Sequence, residues 1–122
     1  MTKQLRNELL NHIIDYVSEC DDEYEFSELH NDCFNTDYYI IGYYQAKEWL
    51  INHDIDAFEA IECVIDYEKY NFGEVNTKIN SEAIVNMYVY IEGEAIINNL
   101  DINLDTCTKS ELLDTLNTLL ND

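Results

Sequence analysis

Residues 54–73 read DIDAFEAIECVIDYEKYNFG. Two aspartates open the stretch, and either Asp54 or Asp56 can accept the unpaired backbone N–H groups of a helix start. Gly73 closes it after Phe72, where a residue without a Cβ ends a helix at least cost. Between them Phe58, Ile61 and Ile65 recur at helical spacing and define an apolar face. Glu59, Glu62 and Asp66 fall within one narrow sector of the same helix, with Asp56 nearby. The stretch therefore predicts a helix with a row of carboxylates along one side.

The pattern extends in both directions. Residues Lys3 to Ser18 place Leu5, Leu9, Ile13 and Val17 on one stripe, with Leu10 and Ile14 beside it. Glu19 to Glu25 reads as an exposed acidic connection, after which Ser27 caps a short helix through Phe34. Asp37 is the expected N-cap of a helix to about His53 that buries Ile41 and part of the Tyr38, Tyr44 and Trp49 aromatics. Glu74 to Asn80 reads as a loop with brief extended structure around Val75. Asn80 or Ser81 then caps a helix from Glu82 to about Asn98, with Ile84, Met87, Tyr88 and Ile91 inward. Tyr88 to Ile91 has strand propensity, but its surroundings fit a helix. Thr108 and Glu111 form a capping-box pair ahead of Leu112, Leu113, Leu116 and Leu120.

There is no proline, and the glycines are Gly42, Gly73 and Gly93 alone. Sandwiches and barrels need turn residues far more often, so this scarcity favours helices. Hydrophobic residues make up 47% of the chain and aromatics 12%, which a disordered acidic tail would lack. The expectation is an all-α protein, one domain over residues 1–122, of five or six irregularly packed helices. A domain of this length buries roughly two thirds of its unfolded surface.

Charge is the second deciding feature. The chain carries 26 acids and six bases, a formal net charge of -20. Between Asn7 and Glu68 there are 17 Asp or Glu residues and one base, Lys47. Self-repulsion on that scale opposes compaction, so solubility alone does not account for it. The same charge argues against direct binding to nucleic acid or to an anionic membrane. The four cysteines, Cys20, Cys33, Cys63 and Cys107, form no Cys-x-x-Cys pair, and no signal-like or membrane-spanning apolar run is present. Reduced thiols in a cytoplasm are expected.

A charge row on an amphipathic helix is ordinarily just its solvent face. Ordinary faces, however, mix signs and gain from Glu–Lys pairs, which this chain forgoes over some 60 residues. At 1.5 Å per residue, Asp56 to Asp66 span about 15 Å, a length over which one B-DNA strand presents about four phosphates. Four carboxylates on that helix approximate such a row, and carboxylates satisfy the Arg forks that grip phosphate. The expected partner is a DNA-binding protein with a basic groove. It would be met by Asp56, Glu59, Glu62 and Asp66 together with Asp21, Asp22, Glu23, Glu25, Glu28, Asp32 and Asp37. The alternative is an acidic adaptor that holds a basic protein through Tyr43, Tyr44 and Leu116, without competition from DNA.

Glu28-Leu29-His30, then Tyr43-Tyr44, then Ile55-Asp56, follow one another at spacings close to those of a known family. In these about 30 residues the chain resembles the small acidic anti-restriction proteins of bacteriophages, of the overcome-classical-restriction type found in T7-like phages. The resemblance implies a compact helical dimer that imitates bent B-form DNA and occupies the DNA groove of a type I restriction enzyme. A CRISPR effector or a repair enzyme is an equal target. The chain departs from that family at its C-terminus, which is Leu-rich where the family has a dense acidic tail. The Leu112, Leu113, Leu116, Leu119 and Leu120 cluster buries against the core or against a second copy, core packing being favoured. A homodimer would double the charged track, and the many tyrosines suit an interface.

Nothing in the sequence supports catalysis or a cofactor. Phosphate-loop, dinucleotide and nucleophile-elbow motifs are missing, and among 26 acids any carboxylate pair arises by chance. His30-x-x-Cys33 is the nearest approach to a metal-ligand pair, and it has no second pair. Asp101-x-Asn103-x-Asp105 begins like a calcium loop, but Thr106 replaces the required glycine, so an Asx-rich turn is expected. No catalytic residue, metal site or cofactor is expected.

Overall fold

Thr2 starts the first helix by accepting the Leu5 N–H at 3.2 Å, and α1 (Lys3–Glu19) follows. Its buried residues are Leu5, Leu9, Leu10, Ile13 and Val17, the stripe that its sequence predicts. The computed structural model describes residues 2–34 and 43–122. After α1 the chain turns through exposed acids into a 3-10 turn at Phe26–Glu28 and a short helix, α2 (Leu29–Cys33). Ser27 makes no cap there, since neither element has a side-chain cap. Next comes α3 (Tyr43–Asn52); Asp37, Tyr38 and Ile41 lie outside the described residues, as does the Tyr44 side chain. Among the described residues there is no strand, so the chain is all-α.

Asp54 and Asp56 divide the work at the next junction. Asp54 sits at φ 54°, closing the end of α3, while Asp56 caps α4 (Ala57–Phe72) by accepting the Phe58 N–H at 2.7 Å. Gly73, at φ 77°, ends α4 in the left-handed region that a Cβ disfavours. Asn80 caps α5 (Ser81–Asn98) through the Ala83 N–H at 2.9 Å. Thr108 and Glu111 form the full capping box of α6 (Lys109–Leu120), with both bonds at 3.1 Å. Ahead of it, Asn103 accepts the Asp105 N–H at 2.9 Å, the expected Asx turn.

α5 is the axis of the molecule. Ile84, Val85, Tyr88, Val89, Gly93, Ile96 and Ile97 are buried around it, and α1, α2, α3 and α4 all pack on it. Met87 and Ile91, expected inward, are only partly buried. Gly93 is where the Phe34 ring presses on the helix: a Cβ there would stand 2.5 Å from the ring. On the far side α6 packs antiparallel to α1, burying Leu112 and Leu116. Arg6 donates to the Leu119 carbonyl at 2.9 Å, and Lys109 donates to Ser18 and Cys20 carbonyls at 3.0 and 2.7 Å. Each helix thus satisfies orphan carbonyls at the end of the other, with a cation where the helix dipole is negative.

α4 and α5 run in the same direction. Ala57 and Ile61 share a cleft with Ser81 and Ile84, and Tyr67, further along α4, donates to Glu94 at 2.5 Å. The connection, residues 73–80, must therefore return along α4. That helix is about 24 Å long, and eight residues reach about 28 Å at full extension. Residues 73–80 form a strap, and Glu68 pins it. Its side chain is 1% exposed and accepts the Asn76 N–H at 2.6 Å, the Thr77 N–H at 3.0 Å and the Thr77 hydroxyl.

This corrects the expected inner face of α4. The buried residues are Ala60, Val64 and Glu68, while Phe58 is 77% exposed and Ile61 and Ile65 are partly buried. Small residues let α4 lie close on α5, and the strap lies against Glu68 and Ile61 beside them.

Burial pushes the Glu68 carboxyl up, but the bonds from Thr77 and Asn76 outweigh it and hold the group below its ordinary value. A depressed carboxyl contributes stability that is full above the unfolded value of about 4.3 and is lost as pH falls through the folded one. Glu68→Gln puts an amide donor against N–H donors and is expected to cost about 1–3 kcal/mol. Urea unfolding at pH 7 and pH 3.5 checks this, the difference between variant and parent narrowing at the lower pH. Gly93→Ala gains helix propensity of about 1 kcal/mol but overpacks Phe34 by about 1–3 kcal/mol, so a net loss is expected in the same assay.

Candidate partner-binding surface

Seen down its axis, α4 presents four sides. Ala60 and Val64 face the core, Glu68 and Ile61 face the strap, Phe58 and Ile65 lie outward, and Glu62, Asp66 and Glu59 complete the circle. Phe72, at the end of the helix, lines a cavity of about 740 Å³ with the strap and α5 and meets the Tyr67 ring edge-on. Glu59, Glu62 and Asp66 are exposed, as is Asp56, whose carboxylate also caps the helix. Tyr70 shares their sector at 90% exposure, and Lys69 is the base of the last turn.

The second group of acids lies between α1 and α2. Asp21, Asp22, Glu23, Glu25 and Glu28 are exposed, and Asp21 accepts the Glu23 N–H at 3.0 Å, which fixes that turn. Asp32 differs from its expected role as a free carboxylate. It is half-buried and accepts the Tyr24 hydroxyl, and burial together with that bond pushes the Tyr24 phenol up. Asp37 lies outside the described residues.

The two groups lean on one ridge of α5. His30 of α2 donates to the Tyr90 carbonyl at 3.0 Å and packs on its ring, with centroids 4.2 Å apart. One turn on, Glu94 accepts the Tyr67 hydroxyl of α4. Burial, with that bond, pushes the Tyr67 phenol up and keeps it a donor. Sequence reasoning singled out neither Glu94 nor Glu68. Tyr90, Glu94 and Glu68 carry one shared signal, polar groups at helical spacing among apolar ones.

Among the described residues, no Lys or Arg forms an ion pair with an acid. Of the five whose side chains are described, Arg6 and Lys109 are spent on backbone carbonyls, and Lys3, Lys69 and Lys78 pair with no described carboxylate. The ion pair among the described residues is His53 with Glu8, at 2.5 Å between Nε2 and Oε2. His53 Nδ1 donates to the Trp49 carbonyl at 2.7 Å, and its ring stacks on Trp49 at 4.2 Å. The pair ties α1 to the end of α3.

The histidines have structural partners and the cysteines are buried or half-buried. His12 donates to the Cys33 carbonyl at 2.7 Å, and His30 serves Tyr90. Burial pushes the Cys33 thiol up to about 12 and raises Cys20, Cys63 and Cys107 as well, so all four stay protonated near neutral pH. No group of three His, Cys, Asp or Glu among the described residues is arranged to hold a metal ion. No described helix is long and apolar enough to cross a membrane. Leu116 is fully buried, so it belongs to the core and not to the contact surface the adaptor reading gave it.

No family model matches the chain, and no curated protein or solved structure matches it either.

Unpaired acids at a net charge of -20 repel one another in the folded state more than in the expanded one. Raising NaCl from 50 mM to 500 mM shortens the screening length several-fold and is expected to stabilise the fold. Each ~1 kcal/mol gained raises Tm by about 3–6 °C for a chain of this size. A thermal melt followed by circular dichroism checks it; a Tm that falls with salt would show that attractive pairs dominate the surface.

Proposed function

We propose that the protein is a non-catalytic DNA mimic that occupies the basic DNA-binding groove of a restriction, CRISPR or other DNA-handling enzyme, in the manner of a phage counter-defence inhibitor. The observation that carries this reading is the exposed row Asp56, Glu59, Glu62 and Asp66, set on a helix and paired with no described base. A rigid row differs from an acidic coil. Its carboxylates are already spaced, so the partner's Lys and Arg meet them without ordering a chain. The resemblance to phage anti-restriction proteins supports the same reading, and it makes a type I restriction enzyme the first target to try. A homodimer would lengthen the track of charge.

Charge substitution against a type I restriction enzyme tests the proposal. The protein should lower the enzyme's affinity for duplex DNA competitively, and its own affinity should fall as salt rises. Exposed ion pairs are worth about 0.2–1 kcal/mol each, so Glu59→Gln, Glu62→Gln and Asp66→Asn should each weaken binding up to about fivefold, and stepwise in combination. Other basic-groove enzymes, captured on the immobilised protein and released by both salt and duplex DNA, widen the search. Binding indifferent to salt and to these substitutions would end the mimicry reading.

A further inference from the structure

The cavity of about 740 Å³ between the strap and the start of α5 has no part in imitating DNA. Phe34, Phe72, Ala83, Met87 and Tyr90 make its apolar wall. Asn76, Lys78 and Glu82 stand among the polar groups around it. Small-molecule sites have the same make-up, mostly apolar with a few polar groups, and occupy roughly 300–1,000 Å³.

A gap left by loose packing would have side chains free to close it. Here the rings are held from behind. Phe34 presses on Gly93, where a Cβ would stand 2.5 Å from the ring. Tyr90 packs on the His30 ring at 4.2 Å, and its hydroxyl donates to Asn31 at 2.9 Å. Phe72 meets the Tyr67 ring edge-on at 6.4 Å. The strap is fixed in turn by Glu68, through the Asn76 and Thr77 N–H groups. The walls are therefore set before a ligand arrives, and binding need not order them.

Charge selects the occupant. Lys78 and Glu82 offset one another, and the Glu68 carboxylate is already engaged by the strap. A chain at -20 repels anions and enriches cations at its surface, which disfavours nucleotides and other phosphorylated ligands. Aromatic rings attract a cation placed over their faces, and three rings contribute to this wall.

We propose that the cavity binds a small organic cation with an apolar body, of the class of protonated aromatic amines. The body rests on Phe34, Met87 and Tyr90, and the charge lies toward Glu82. None of Asp56, Glu59, Glu62 and Asp66 lines the cavity, so the site is independent of the DNA-mimic reading.

Three probes that share a naphthyl ring and differ in charge test it: 1-naphthylmethylamine, 1-naphthalenemethanol and 1-naphthoate. Each is titrated at 150 mM NaCl, where fields between exposed charges fade over about 8 Å, and followed by amide chemical shifts. The amine should bind about fivefold tighter than the alcohol, with naphthoate the weakest, and its shifts should centre on residues 76–87. Methylammonium, which has the charge and no ring, should give no saturable shift there. Ala83→Phe fills the cavity at unchanged net charge and should abolish saturable binding of the amine. Glu82→Gln should bring the amine to the level of the alcohol. Glu59→Gln with Glu62→Gln and Asp66→Asn should leave the amine's affinity within about twofold, which separates this site from mimicry. The proposal is overturned by any of four results: no saturable binding of the amine, naphthoate binding as tightly, shifts centred away from residues 76–87, or an affinity that Ala83→Phe leaves intact. Should Ala83→Phe fail to fold, the probe series and the shifts in the parent decide the matter.

Discussion

A single buried carboxylate holds the arrangement in place. α4 and α5 run in the same direction, so the chain must travel back the length of α4 in residues 73–80 before α5 can begin. The eight residues have no ladder to stabilise them, so their backbone donors look to water or to side chains. Glu68 is such a side chain at the middle of the strap, taking two N–H groups and a hydroxyl in a site with almost no exposure. A buried charge is costly unless its bonds are made, and here three donors make them. The strap in turn occupies the side of α4 next to the core. The acid row and Phe58 are left facing outward.

The rest of the fold tolerates its charge because it assigns few charges to structural work. Core cohesion comes from α5, apolar on nearly all sides, and from the α1 and α6 leucines. Arg6 and Lys109 join α1 to α6 by holding carbonyls at opposite ends of the pair. Those cations are thereby withdrawn from the acids, and the surface keeps its negative field. A protein whose bases neutralised its carboxylates would fold with less repulsion and would present a weaker negative field.

Local signals were legible in the sequence. Asp56, Gly73, Asn80 and the Thr108–Glu111 box each act through atoms within a few residues, and each ends or begins a helix as its chemistry requires. The leucine stripe of α1 was legible too, because a helix packed on one side shows its period. Direction and depth were not. Phe58, Ile61 and Ile65 have the right spacing to face a core, and only the return path of the strap turns that side of α4 away from it. Glu68 reads as one more surface acid until its partners, Asn76 and Thr77, are brought alongside. Gly93 carried a signal, a lone glycine inside an apolar helix, whose cause is the Phe34 ring some 60 residues earlier. For the acids, exposure at Glu59, Glu62 and Asp66 followed from pattern alone, whereas the Tyr24 bond that engages Asp32 depends on the turn between them.

Charge density bears on how such a surface can compete with DNA. Three intervals over about 15 Å set the α4 carboxylates about 5 Å apart along the axis, against about 3.4 Å for one DNA strand and 1.7 Å for the duplex. The row therefore carries about two thirds of the linear charge of one strand and a third of that of the duplex. Matching DNA by charge alone would need a longer track or a second source of affinity. Apolar contact is such a source. It is insensitive to the counterions that weaken a purely electrostatic complex, and it favours proteins over any polyanion-binding surface that lacks an apolar seam. Phe58, 77% exposed near the acids, is one side chain placed to provide it.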